Sequence, residues 1–74
     1  MPARLRDVKR VAESDYGVII EPPQSGSHWK CRKAGCRVYP LPAPNGMRTE
    51  LDDNYVRGFC RHFGIPSDEF RAKL

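Results

Sequence analysis

Apolar residues recur at three- and four-residue spacing near the start of the chain, at Leu5, Val8, Val11 and Ala12. That period predicts a helix over residues 2–14, with Pro2 suited to its first turn. Arg4, Arg6, Lys9 and Arg10 cover the opposite side and read as a solvated face. Gly17 sits where the pattern stops. Residues 17–21 then form a short β-branched run that predicts a strand, ended by Pro22 and Pro23, with Gln24, Ser25 and Gly26 as the turn. Over residues 27–33 polar and apolar side chains alternate. A strand with that alternation carries His28, Lys30 and Arg32 on one face and Ser27, Trp29 and Cys31 on the other, so Trp29 reads as core.

A third strand is expected over residues 36–41, joined through Ala34-Gly35. A two-residue turn there pairs Cys31 with Val38 and Arg32 with Arg37, which puts Arg37 and Tyr39 beside Lys30 and His28. Slipping by one residue would send Arg37 toward the core, where an unpaired charge is costly. The run Pro40-Leu41-Pro42-Ala43-Pro44-Asn45-Gly46 reads as an ordered loop with Asn45-Gly46 as its turn. Asp52 or Asp53 caps a second helix to about Phe63, with a stripe of Leu51, Tyr55, Phe59 and Phe63 widened by Val56 and Cys60. Gly64-Ile65 is a helix stop, and after Pro66 a short last helix capped by Ser67 is anchored by Phe70 and Leu74. The expected architecture is α+β: α-β-β-β-α with a three-stranded antiparallel sheet, helices on one face, the other face open, and a short extra C-terminal helix, all in one domain over 1–74.

Composition narrows the function. A chain of 74 residues buries a thin core, so an open surface site is expected rather than a deep pocket. Its formal charge of +4 is spread along the chain and favours a polyanionic or acidic partner, nucleic acid first. Three cysteines make no disulfide framework, and no apolar run resembles a signal peptide or a membrane span, so a cytoplasmic protein without membrane contact is expected. Cys31, Cys36, Cys60 and His62 are potential zinc ligands, but their spacings are looser than those of zinc knuckles. Free, buried cysteines explain them as well, so no metal or cofactor is expected. His62, near a helix C-terminus, reads as structural.

The candidate chemistry gathers at Gly26-Ser27-His28-Trp29-Lys30-Cys31-Arg32. An imidazole beside cations suits work on phosphate, with the cations holding oxygens while the histidine moves a proton. His28 is therefore the candidate catalytic group. Lys30, Arg32 and Arg37 are candidates for phosphate oxygens and Tyr39 for stacking a base, while Gly26 and Ser27 allow close approach of a ligand and add a hydroxyl donor.

With these elements in place, the chain resembles the HicA-type toxins, small ribonucleases of bacterial toxin–antitoxin pairs. The likeness rests on Gly26-Ser27-His28, similar to the family's Gly-Ser-His signature at the start of the second strand. Arg48-Thr49-Glu50-Leu51 is similar to the link before the family's closing helix. Asn54-Tyr55-Val56-Arg57 and Phe63-Gly64-Ile65 resemble that helix and its stop. The resemblance implies a double-stranded-RNA-binding-domain-like fold, metal-independent cleavage of messenger RNA, and neutralisation by a HicB-type antitoxin. The family's catalytic histidine falls on His28. One departure is Pro44, where related sequences often carry a histidine in the loop after the third strand. A non-catalytic RNA- or protein-binding module of the same fold is the other class this sequence suits.

Overall fold

The computed structural model describes residues 2–74, and its elements follow the expected order with two short strands and a 3-10 turn added. A two-residue strand, β1 (Ala3–Arg4), precedes the first helix, α1 (Leu5–Asp15). The meander follows as β2 (Ile19–Glu21), β3 (His28–Arg32) and β4 (Tyr39–Pro42). After a 3-10 turn at Gly46–Arg48 come β5 (Glu50–Leu51), α2 (Asp53–Phe63) and α3 (Ser67–Ala72). The three-stranded sheet is antiparallel in the order β2-β3-β4, and β1 pairs separately with β5. The fold is α+β, as expected, with no helix among the described residues long and apolar enough to cross a membrane.

The helix expected from Pro2 instead starts at Leu5. Ala3 and Arg4 are drawn into pairing with Leu51 and Glu50, and the Leu5 N–H bonds the Thr49 carbonyl at 2.9 Å. The amphipathic reading of α1 holds nonetheless: Leu5, Val8, Val11 and Ala12 are all buried. Past its end, the Val18 N–H turns back to the Ala12 carbonyl at 3.1 Å.

α2 is delimited by local chemistry. The Asp52 carboxylate accepts from the Tyr55 N–H at 3.0 Å, satisfying one of the first-turn donors that a helix leaves open. At the other end the Ile65 N–H bonds the Cys60 carbonyl at 2.8 Å across Gly64. Its buried residues are Val56, Phe59, Cys60 and Phe63, while Tyr55 is exposed. Four-residue steps overshoot a 3.6-residue turn, so a strict i+4 stripe drifts around the helix and Tyr55 leaves the core side. In α3 the N-cap position is held by Pro66, and Ser67 is the first helical residue rather than the cap. Phe70 is wholly buried, its ring 5.7 Å from that of Phe59 and 5.8 Å from that of Tyr16.

The hairpin register differs from the expected one. Cys31 pairs with Tyr39, Lys30 with Pro40, Trp29 with Leu41 and His28 with Pro42. The reason lies in the order of the turn residues. Two-residue hairpins need left-handed φ at the first central position, or at both. In Ala34-Gly35 the glycine stands second: only Gly35 has positive φ, at +82°, and the Cys36 N–H bonds the Lys33 carbonyl at 3.0 Å. That is a type II turn, which splays the strands. Regular pairing therefore resumes only at Tyr39, and Arg37 stays exposed in the connection, so the slip brings no charge into the core.

β4 also runs through prolines that the sequence placed in a loop. Edge strands tolerate proline when the missing N–H faces away from the neighbour. The Ala43 N–H reaches the Ser27 carbonyl at 2.7 Å, so the amides of Tyr39, Leu41 and Ala43 turn inward, and Pro40 and Pro42 occupy the outward positions.

Candidate nucleic-acid interface

β3 alternates as expected: Trp29 and Cys31 are buried, and His28, Lys30 and Arg32 are exposed on the face away from the helices. Cross-strand pairing adds Ile19 and Glu21 from β2 and Pro40 and Pro42 from β4 to that open face. His28 is the first residue of β3. It follows Gly26, whose φ of +84° is a backbone state that side chains with a Cβ rarely adopt. A Cβ at Gly26 would meet open space, so the backbone rather than crowding requires glycine. Ser27 is half-buried, with its carbonyl bonded to Ala43.

His28 and Lys30 are the two expected site residues that the structure brings together without offset. They share a face at roughly 7 Å spacing along the strand. The His28 imidazole makes no hydrogen bond among the described residues, so no neighbouring group orients it. Arg32 is on the same face, but its Nε lies 2.7 Å from Glu21 Oε1, and its charge is partly offset there. Both partners are about half exposed, so the pair contributes little to stability.

Arg37 and Tyr39 are not at this site. Arg37 lies before the start of β4, on the order of 15 Å along the strand direction from Pro42, the partner of His28. Its carbonyl accepts a hydrogen bond of 2.7 Å from His62 Nε2, which fixes the tautomer of that ring with the proton on Nε2. Tyr39 pairs with Cys31 and so turns to the helix side. Its ring lies 5.0 Å from His62 and 6.2 Å from both Phe59 and Phe63. It is a packing residue, and among the described strand residues the open face carries no Phe, Tyr or Trp. His62, between Tyr39 and Phe63, joins the β3–β4 connection to α2.

Cys31 and Cys60 are buried and Cys36 is exposed, and no group of three or more metal-binding side chains occurs among the described residues. Burial pushes the Cys31 thiol up to about 12 and raises that of Cys60.

Two surroundings of the face went unread in the sequence. At its turn end, exposed Ile19 and Val38 border a shallow depression of about 460 Å³ with Arg32, Lys33 and Cys36. The second is the pair of prolines at alternate positions of β4. Their period of two, Pro40-x-Pro42, was the available signal for an edge strand. A larger groove of about 600 Å³ lies among β1, α1, α2 and α3, lined by Arg4, Arg6 and Arg71 with Asp7 and Asp53, and includes no residue of the open face. Comparison with family models, curated proteins and solved structures returns no match to this chain.

Proposed function

We propose that this chain is a ribonuclease toxin of the HicA type, acting on messenger RNA from its open sheet face and held inactive by a HicB-type antitoxin. The observation that carries the reading is His28, exposed at the head of β3 beside Lys30 and directly after the Gly26-Ser27 turn. The order α1-β2-β3-β4-α2 supports a double-stranded-RNA-binding-domain-like layer, to which β1, β5 and α3 are additions. RNA supplies its own nucleophile. The 2′-oxygen attacks phosphorus and the bond to the 5′-oxygen breaks, leaving a 2′,3′-cyclic phosphate and a 5′-hydroxyl. His28 takes the proton from the 2′-hydroxyl, water supplies the proton to the leaving oxygen, and Lys30 holds a non-bridging oxygen. The apolar rim at Ile19 and Val38, next to cationic Lys33, suits an acidic antitoxin surface with apolar anchors.

The test is incubation of antitoxin-free protein with a defined messenger RNA in the presence of chelator, beside His28→Ala. Cleavage should fall by roughly 10²–10⁴-fold in the variant, the usual share of general acid–base help. The fold should be unchanged, because His28 is exposed. A folded variant that cleaves like the native protein removes this mechanism.

A non-catalytic RNA-binding module is the second reading. It is favoured by the engagement of Arg32 with Glu21, by the removal of Arg37 and Tyr39 from the face, and by Pro44 in place of a loop histidine. It predicts RNA binding with no cleavage by either form, and no growth arrest on expression. Pro44→His is then the first substitution to try.

A further inference from the structure

The outer rim of β4 presents acceptors and no donors. In an antiparallel pair the N–H and C=O of one residue point the same way, alternately toward and away from the neighbour. Pro40 and Pro42 hold the outward positions, and proline has no N–H. Their two carbonyl oxygens are therefore alone on that rim, and neither accepts a hydrogen bond among the described residues.

An ordinary edge offers donors and acceptors in alternation and attracts another strand. This one suits a ligand that brings the donors itself. Cationic side chains of a protein are one source, but the rim is bordered by cations. Lys30 is the cross-strand partner of Pro40, and Lys33 and Arg37 lie at the turn end. Such surroundings repel cationic donors and attract a polyanion whose donors are neutral. The ribose 2′-hydroxyls of RNA meet both conditions, and DNA lacks them.

We propose that the β4 rim is the ribose-reading element of the RNA site, with the Pro40 and Pro42 carbonyls accepting hydrogen bonds from 2′-hydroxyls of the bound strand. This rests on the RNA reading above and adds what separates RNA from DNA on this face. His28 and Pro42 form a non-hydrogen-bonded cross-strand pair, in which Cα atoms approach to about 4.5 Å, so the rim adjoins the candidate catalytic group.

The test uses His28→Ala, so that RNA survives the titration, with a short RNA and its 2′-fluoro counterpart of the same sequence at one salt concentration. The fluoro strand keeps an acceptor at the 2′ position but has no O–H. RNA should bind roughly tenfold more tightly, as expected for two hydrogen bonds of ordinary net strength. The carbonyl carbon resonances of Pro40 and Pro42, read through the amides of Leu41 and Ala43, should shift on adding RNA and stay in place with the fluoro strand. Equal affinities overturn the inference, as do unmoved carbonyl resonances. If the native protein still cleaves RNA, either result leaves the ribonuclease reading standing. No binding of either strand, together with no cleavage by the native protein, removes both.

Discussion

The three cysteines illustrate how burial sets the chemistry of a residue. A thiol reacts as thiolate, and an apolar surrounding disfavours that charge. Cys31 is sealed under the sheet with its thiol pushed up to about 12, and Cys60 is raised in the same sense by burial in α2. Cys36 is exposed in the connection before β4. A thiol reagent at mildly alkaline pH should therefore modify Cys36 alone in the folded protein, with Cys31 and Cys60 reacting only after denaturant is added. Intact-mass measurement checks this, and fast native modification of Cys31 would contradict the packing described for β3.

At the scale of elements, the contact between β4 and α2 explains a glycine that helix propensity disfavours. Gly58 lies inside α2, where glycine costs about 1 kcal/mol relative to alanine. A Cβ there would stand 2.8 Å from the Tyr39 hydroxyl oxygen, so the glycine makes room for the tyrosine. Gly58→Ala should be neutral or destabilising in the native background. Combined with Tyr39→Phe, which removes that oxygen, it should stabilise by up to about 1 kcal/mol. Denaturant unfolding of the four proteins of this cycle measures the difference, and additive effects would place Tyr39 away from α2. The same contact marks what the sequence made legible. The core faces of α1 and β3 and both ends of α2 follow from periodicity, a carboxylate cap and a glycine stop, all carried by neighbouring residues. The β3–β4 register depends on which of two turn residues is the glycine, and that detail sends Tyr39 to the core and leaves Arg37 outside the site. His28 and Lys30 were legible because alternation within one strand suffices to put them on one face. The pairing of β1 with β5 has no periodic signal at all, since two residues make no pattern and their partners are remote in sequence.

For the whole molecule, the closed edges of the sheet bear on assembly. On β2 the Ile20 N–H, which faces away from β3, is taken by Glu13 Oε2 at 3.1 Å. Burial alone would raise the Glu13 carboxyl, but the bonds from Lys9 and from the Ile20 N–H together hold it below the usual value. On β4 the outward positions are prolines. Neither edge of this sheet offers strand donors among the described residues, so edge-to-edge pairing with a second copy is disfavoured. Pro40→Val with Pro42→Thr restores two outward N–H groups on a β-prone strand. That variant should self-associate at concentrations where the native protein sediments as a monomer; a monomeric, folded variant would show that something else guards the edge. The pairing of β1 with β5 has a different consequence, one of order in time. The meander and its turns are assembled from neighbours in the chain, whereas Ala3 and Arg4 must wait for Glu50 and Leu51 to come round. Closing that loop costs more chain entropy than closing any turn of the meander, and its local return is a two-residue ladder, the Leu5–Thr49 bond and the burial of Leu51. The stitch between the start of the chain and the approach to α2 is thus expected to form after the meander and to open before it.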